Sequence, residues 1–381
     1  MRDYRIDFFR GLALIVIFVD HIPFNIYSYM TPRNYGLSDA AEVFVLVSGV
    51  SAAFAYFGRF AAGETIGASA RAIKRGFTLY IAHLFGTVAM LGMFAIAALW
   101  FENPSFVNDN NFGPVFKDPV SGLAGVVSLG HQLGFFNILP MYIVLLLALP
   151  LMMLLARKSL GLMLGLSFLL YIVAGTWKLN LPAYPNEGGW FFNPFAWQFL
   201  FAIGLAAGTR LRAGERIVPF SPWLWIAAFS YIAASAAWTL VPLWGTLPDW
   251  PLPFILYESD KTFLTMGRLL HVLALAYVVG QSPIVDILKR RLTVWNPVVL
   301  LGKHALVTFV LGTLVSMVGL ISKVVFEAGI LFDTLYIAGG LTFLAAVNAT
   351  LEAMQKARRR PSASMAQATS RADTSLAVAA E

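Results

Sequence analysis

The sequence predicts an all-α, polytopic membrane protein with about ten transmembrane helices and with both termini in the cytoplasm. Of its 381 residues 59% are hydrophobic and 12% are charged, whereas about a quarter of the residues of soluble domains are charged. Apolar runs of bilayer-spanning length recur along the chain, and Lys and Arg gather in alternate loops between them. The mean hydropathy of +0.73 agrees with a chain that folds in lipid.

The apolar runs have the length of about 17–25 residues that a helix needs to cross the hydrocarbon core. We place them near residues 9–29, 40–57, 77–100, 134–156, 159–177, 194–210, 222–243, 262–282, 297–320 and 332–353. Ten crossings put both ends of the chain on the same side of the membrane.

The distribution of basic residues indicates which side this is. About 20 of the 27 Lys and Arg residues fall on one side of the ten-span arrangement, and positive residues are retained in the cytoplasm. We therefore expect both termini there. Residues 1–356 are predicted to form a transmembrane domain, and residues 357–381, which are small and polar without apolar periodicity, a disordered cytoplasmic tail.

The composition also excludes several kinds of chemistry. The chain has no cysteine, so it offers no disulfide, zinc–thiolate site or cysteine nucleophile, and we predict no metal site. The net charge of +7 comes from short basic clusters between apolar runs. That pattern is typical of membrane topology and does not indicate nucleic-acid binding.

The first predicted helix carries two polar residues at membrane depth. Arg10 and His21 are eleven residues apart, so they share a helix face at a separation of about 16 Å along the axis. A neutral His21 could accept the proton of an attacking hydroxyl, with Asp20 or Glu42 as candidates to orient its ring. The alternative is an interfacial histidine and an arginine that snorkels to the membrane surface.

A second group of polar residues surrounds the eighth predicted span. Arg268 and His271 share a helix face, and Lys261 precedes them. The planar guanidinium of an arginine suits a carboxylate or a phosphate, which makes this group a candidate substrate site. An interhelical ion pair that serves assembly is the alternative.

Two further sets of residues are candidates for ligand binding. Arg71, Lys74 and Arg75 form a basic loop that could attract the phosphates of a donor molecule, and His83 lies beside it, although it could also be a packing histidine. On the other side of the membrane, segment 179–198 interleaves aromatic and amide side chains, among them Trp190 and Asn193. Such groups bind sugars, and they also gather at bilayer interfaces for amphipathic reasons.

The chain resembles a known family of membrane enzymes in several of these segments. The Arg10-to-His21 spacing resembles the first-helix signature of acyltransferase family 3, and EVFVLVSGV at residues 42–50 resembles the helix 2 motif that ends in Ser-Gly. The chain is most similar to the OpgC branch, the succinyltransferases of osmoregulated periplasmic glucans. Segments that carry this likeness are RGLALIVIFVDHIPFN, SDAAEVFVLVSG, TLYIAH, NILPMYIVLLLALP, FFNPFAWQFLF, HVLALAY and LGKHALVTF.

The resemblance implies acyl transfer across a bacterial inner membrane. Succinyl-CoA or another acyl-CoA would act as a cytoplasmic co-substrate, with no permanently bound cofactor, and a hydroxyl of a periplasmic glucan would be the acceptor. His21 would be the general base, and Arg10 would belong to the donor path. The sequence AEVFVLVSG departs from the more aromatic FFVLSG-type run of the wider family, so the role of Glu42 cannot be taken over from that family.

Two other classes of function are compatible with the residues alone. A transporter or flippase could line a pathway with the same Arg and His residues, although the chain shows no duplicated halves of the kind typical of transporters. A non-catalytic membrane partner would leave the intramembrane ionisable residues without a role. A homodimer is compatible with the sequence, which does not predict the oligomeric state.

Overall fold

The computed structural model describes residues 3–108, 111–216, 218–241, 253–326 and 329–378, and these residues are folded almost entirely into helices. The first nine are α1 (Tyr4–Asp20), α2 (Ala40–Ala52), α3 (Gly58–Ala61), α4 (Thr65–Trp100), α5 (Ser105–Asn108), α6 (Gly113–Lys117), α7 (Pro119–Val127), α8 (Ile138–Lys158) and α9 (Leu160–Thr176). They are followed by α10 (Pro194–Arg212), α11 (Pro222–Leu240), α12 (Phe254–Tyr257), α13 (Met266–Gly280), α14 (Ile284–Arg291), α15 (Pro297–Lys303), α16 (Ala305–Val325) and α17 (Ile330–Val378).

Six of the described helical segments are long and apolar enough to cross a membrane. They are Ala40–Ala61, Thr65–Trp100, Gly134–Lys158, Pro222–Leu240, Ala305–Val325 and Ile330–Arg358. The bent pair of α13 and α14, which meet at 65°, gives a seventh if it is counted as one span. The helical membrane fold is therefore confirmed, whereas the ten crossings and the cytoplasmic termini stay predictions.

Helix α1 is shorter than the predicted first span, which extends to residue 29. It ends at Asp20 because Pro23 cannot continue the backbone hydrogen-bond ladder. The side-chain amide of Asn25 donates hydrogen bonds to the carbonyl of Ile22 at 2.5 Å and to that of Val19 at 2.9 Å, which also accepts the Ile22 N–H. As a result His21 caps the C-terminus of the helix instead of lying inside a span.

One other predicted span also differs from the structure. The span predicted at 297–320 is interrupted at His304, where α15 gives way to α16. Helix α17 extends to Val378, and the disordered cytoplasmic tail that the sequence indicates after residue 356 stays a prediction.

Helix α1 lies in the interior of the bundle, in contact with α2, α15 and α16. Its contact with α15 depends on two glycines: a Cβ atom at Gly11 would lie 1.9 Å from the Val298 carbonyl oxygen, and one at Gly302 would lie 1.8 Å from that of Asp7. Such close backbone approach is typical of helix packing in membranes. Arg10, the neighbour of Gly11, contacts α2 through its hydrogen bond to Ser51.

Candidate functional site

Arg10 lines a cavity of about 170 Å³, here called the inner cavity, between α1, α2, α4, α8 and α16. Its guanidinium donates a hydrogen bond to the Ser51 hydroxyl and lies 4.0 Å from the Asp7 carboxylate. Ser48 and the exposed Arg75 line the same cavity. The first-helix arginine and the Ser-Gly motif of helix 2, on which the family resemblance rests, therefore meet at one cavity.

A second cavity of about 540 Å³, the arginine cavity, adjoins the inner one, because Ala55 lines both. Arg59, Arg71 and Arg212 surround it together with a single carboxylate, that of Glu64. The Arg71 guanidinium lies 3.9 Å from Glu64, and its buried Nη2 atom has no hydrogen-bond partner among the described residues. Cations outnumber anions here, so the cavity is suited to an anionic ligand.

Arg71, Lys74 and Arg75 were predicted to form a basic loop, but all three lie within helix α4, where they occupy three different environments. Arg71 lines the arginine cavity and Arg75 lines the inner cavity. Lys74 is exposed and lines neither of them. Arg59 and Arg212, which the sequence did not single out, complete the arginine cavity.

His21 lies at the C-terminal end of α1, eleven residues beyond Arg10. Its ring is stacked on the ring of Phe135, with 4.0 Å between centroids and 8° between planes. The Nδ1 atom is buried without a hydrogen-bond partner in the described part of the chain. Charges on Lys261, Asp39 and Arg33 act on the imidazole, so His21 lies near a group of ionised side chains.

The inner cavity does not extend as far as His21, which is absent from its described lining. Two adjacent phenylalanines lie between the inner cavity and His21. Phe135 is stacked on His21, and Phe136 packs against Phe309, which lines the cavity, with 6.1 Å between centroids. A donor that entered from the cavity would have to displace these rings to reach His21.

Asp20 was predicted as a group that could orient His21, and the structure does not support this role. One of its carboxylate oxygens accepts a hydrogen bond from the Thr31 hydroxyl at 2.7 Å and lies 4.0 Å from Arg33. Adjacent residues of a helix point in different directions, and Asp20 is directed towards the loop that follows α1.

Glu42 was the other candidate to orient His21, and both of its carboxylate oxygens are already bound elsewhere. Oε1 forms an ion pair with Arg268 at 2.6 Å, and Oε2 accepts the Asp39 backbone N–H at 2.9 Å. Asp39 accepts the N–H of Ala41 in return, so the two acids form a capping box at the start of α2. Glu42 thus stabilises the helix start and its contact with α13.

The two predicted substrate-binding cations are bound by these same acids. Lys261 forms an ion pair with Asp39 at 2.5 Å, and Arg268 lies 3.3 Å from Asp39 as well as 2.6 Å from Glu42. Burial raises the pKa of Asp39, but the nearby charges of Lys261 and Arg268 outweigh it and hold the pKa below its ordinary value. We call these four residues the outer ion cluster.

The histidines predicted to assist these sites are both buried. His271 shares a 2.7 Å hydrogen bond through Nδ1 with the Ser38 hydroxyl, and its Nε2 is enclosed by Gly36. His83 lies within the bundle, with its ring edge-to-face on Phe136 at 6.4 Å. It lies about two turns beyond Arg75 on the same helix, and it is in the described lining of neither cavity.

Trp190 and Asn193 were predicted to bind a sugar, but neither presents a free face. The Trp190 side chain is buried, and its backbone pairs with Leu181 and Asn180. Asn193 caps α10 by accepting the Phe195 N–H at 3.0 Å, and its amide donates to the Leu179 carbonyl at 2.7 Å. A residue in which both ends of the amide are satisfied inside the protein has a structural role.

Together these features define a multi-pass helical membrane protein with a cavity lined by Arg10 of α1, an adjoining arginine-rich cavity, and a half-buried histidine at the C-terminal end of α1. A family model described as OpgC protein matches residues 2–356, so the chain belongs to the OpgC family. Comparison with curated proteins and with solved structures gave no significant match. The family is bacterial, and membership indicates a transferase role in glucan modification.

Proposed function

We propose that the protein is an O-acyltransferase of the bacterial inner membrane that transfers a succinyl group from cytoplasmic succinyl-CoA to a hydroxyl of a periplasmic glucan. Membership of the OpgC family supports the class of reaction. The observation that carries the proposal is the arrangement of α1, in which Arg10 lines the inner cavity next to the arginine cavity and His21 lies at the C-terminal end of the same helix. A transfer across the membrane requires such a separation of donor and acceptor ends.

The donor binds through its phosphates in the arginine cavity. Arg59, Arg71 and Arg212 supply guanidinium groups, whose planar donor geometry matches phosphate oxygens. From there the thioester arm enters the inner cavity past Arg10, since Ala55 lines both cavities. Arg75 is exposed and lines the inner cavity, so it can contact the arm there.

His21 acts as the general base. The imidazole takes the proton of a glucan hydroxyl while the hydroxyl oxygen attacks the thioester carbonyl carbon. The new carbon–oxygen bond forms as the carbon–sulfur bond breaks, and the departing thiolate receives the proton from the imidazolium. No covalent enzyme intermediate is needed, and stacking on Phe135 holds the ring in position without a carboxylate partner.

Lys261 is the cation that we assign to the free carboxylate of the succinyl group. Its charge acts on His21, and its only ion-pair partner in the described residues is Asp39. Arg268 binds both Asp39 and Glu42 and is less exposed, at 12% against 27% of the side chain. Arg268 is fully paired by these two carboxylates without a ligand, so we assign it a role in assembly.

Mass spectrometry of periplasmic glucans from cells with and without the protein tests the proposal. We expect succinyl mass on the glucan only when the protein is present, and none with His21→Ala, because the base that activates the hydroxyl is lost. Loss of more than about a hundredfold in rate is the expected scale for a general base. Unmodified glucan with the wild type would contradict the proposal and favour a transport function.

A matched control separates chemistry from folding. His304→Asn removes another histidine, one that caps the start of α16 and lies 3.3 Å from Glu352, and asparagine is itself favoured at a helix N-cap. This variant should insert into the membrane and acylate like the wild type. Acylation by a fully inserted His21→Ala protein would refute the role of His21.

A further inference from the structure

Among the buried polar atoms that have no hydrogen-bond partner in the part of the chain that the structure describes, four lie on the contacting helices α4 and α16. They are both ring nitrogens of His83 and the hydroxyls of Thr87 and Thr313. Each of these side chains is at most 2% exposed. Buried polar groups are paired in most native structures, and an unpaired one costs free energy, so a cluster of them indicates a place where a ligand completes the bonding.

The helix geometry places this cluster next to the inner cavity. On α4, Arg75 and Leu79 line the cavity, and His83 and Thr87 continue the same stripe at intervals of four residues. Each interval moves about 6 Å along the helix axis. The stripe therefore begins at the basic end of the bundle and continues beyond the end of the cavity.

Helix α16 repeats this arrangement from the other side. Phe309 lines the inner cavity, and Thr313 follows it after one turn on the same face. One turn further along, Ser316 donates a hydrogen bond to the carbonyl of Phe18 in α1, close to His21 in sequence. The unpaired hydroxyls thus lie on faces that lead from the inner cavity towards the His21 end.

The ring of Phe136 fills the space between these two faces. It contacts His83 at 6.4 Å and Phe309 at 6.1 Å between centroids. It also lies against Gly86, where a Cβ atom would be only 2.6 Å from the ring. An apolar ring cannot satisfy the neighbouring imidazole and hydroxyl groups, although it excludes water from them.

We propose that His83, Thr87 and Thr313 form a binding section for the amide groups of the donor's pantetheine arm, and that Phe136 occupies this section when no donor is bound. This inference rests on the proposed function, because it assigns residues to the same donor. Secondary amides both donate and accept hydrogen bonds, which matches an imidazole and two hydroxyls. A purely hydrocarbon ligand would leave all of these groups unsatisfied.

The test compares two soluble donors with the full-length protein in lipid nanodiscs. One is S-succinyl-pantetheine, and the other is a succinyl thioester of equal length in which methylene and ether groups replace the amides. Thr87→Val and Thr313→Val each remove a hydroxyl at nearly constant shape. We expect either change to raise KM about fivefold for the pantetheine donor and to leave KM for the amide-free donor unchanged.

Three controls make the result decisive. Thr87→Ser keeps the hydroxyl and should keep the wild-type ratio of the two KM values. Thr308→Val removes a hydroxyl that already donates to the Leu301 carbonyl and accepts from Asn348, so it should lower the unfolding temperature without changing that ratio. Thr87→Val should not lower the unfolding temperature, because no protein hydrogen bond is lost.

Two different failures can be told apart. If the wild type transfers succinate but Thr87→Val and Thr313→Val keep its KM ratio, the amide-binding section is refuted while the proposed function stands. If the wild type transfers nothing from either donor or from succinyl-CoA, the proposed function is refuted instead.

Discussion

The two ends of the bundle use the same types of side chain in opposite ways. In the arginine cavity, Arg59, Arg71 and Arg212 face one carboxylate across about 540 Å³ of space. In the outer ion cluster, two cations and two carboxylates are in direct contact at 2.5–3.3 Å, and Glu42 is fully buried. Charge in excess of its partners indicates a site for a ligand, whereas the balanced pair of Arg268 and buried Glu42 indicates assembly. Lys261, whose side chain is 27% exposed, is the member of the cluster that a substrate carboxylate can reach.

Arg268 belongs to the assembly contacts and not to a ligand site. From sequence, an arginine inside a span is expected to face an anionic partner or a wet cavity, and the two cases cannot be separated without the partner. The structure supplies the partner in Glu42, which is 226 residues away along the chain. Substitution of an arginine should therefore lower stability at one end of the bundle and donor binding at the other.

The largest effect is expected from Arg268→Gln, which leaves the buried carboxylate of Glu42 without its cation. Breaking a buried ion pair from one side costs about 3–5 kcal/mol, so the free energy of unfolding in mixed micelles should fall by about this amount. The exposed pair of Arg210 and Glu215 provides the control. Arg210→Gln should cost less than about 1 kcal/mol.

The double variant Glu42→Gln/Arg268→Gln sharpens this prediction. Because it removes both charges, it should be more stable than Arg268→Gln alone. A different outcome would restore the interpretation made from the sequence: if Arg268→Gln keeps full stability but selectively loses succinate over acetate as the acyl group, Arg268 recognises the substrate carboxylate.

A smaller effect is expected at the arginine cavity, and it should appear in binding instead of stability. Arg71→Gln removes a guanidinium that the protein does not fully pair, so KM for succinyl-CoA should rise roughly tenfold to a hundredfold. The unfolding temperature should change little. The KM for S-succinyl-pantetheine, which lacks the nucleotide phosphates, should stay the same.

Lys74→Gln is the matched control for this experiment, because Lys74 belongs to the same basic segment of α4 but lines neither cavity. It should leave both KM values unchanged. Equal effects of the two substitutions on KM would mean that the basic segment acts through its overall charge, and that the cavity does not select the donor.

Much of the fold was predictable because membrane helices follow local rules. Spans of apolar residues predicted near 77–100, 134–156 and 332–353 correspond to long helices in the structure. The spacing of Arg10 and His21 predicted their common helix, since it depends only on residues in one segment. The end of α1 was missed because the Pro23 and Asn25 signals were outweighed by the apolar residues around them.

The candidate site was less predictable, since its contacts join distant segments. Nothing in the local sequence shows that Phe135 is stacked on His21, or that Arg212 lies beside Arg71. One signal was available: Thr87 follows His83 at the spacing of one helix turn, which predicts a shared polar face. The capping pattern of Asp39 and Glu42 was a second signal in the sequence, because it assigns both acids to the start of a helix.

The smallest effect is expected at Asn193, where a predicted sugar ligand is a helix cap in the structure. Asn193→Ala removes the bonds to the Phe195 N–H and the Leu179 carbonyl, and loss of an N-cap costs about 1 kcal/mol. Asn193→Asp keeps the acceptor that caps the helix and should retain part of that stability. Glucan acylation per folded molecule should be unchanged in both variants, since neither bond faces a ligand. If Asn193→Ala instead raised KM for the glucan at unchanged stability, the loop before α10 would belong to the acceptor site. Side chains whose hydrogen bonds are complete within the protein would then also take part in substrate binding at that end of the bundle.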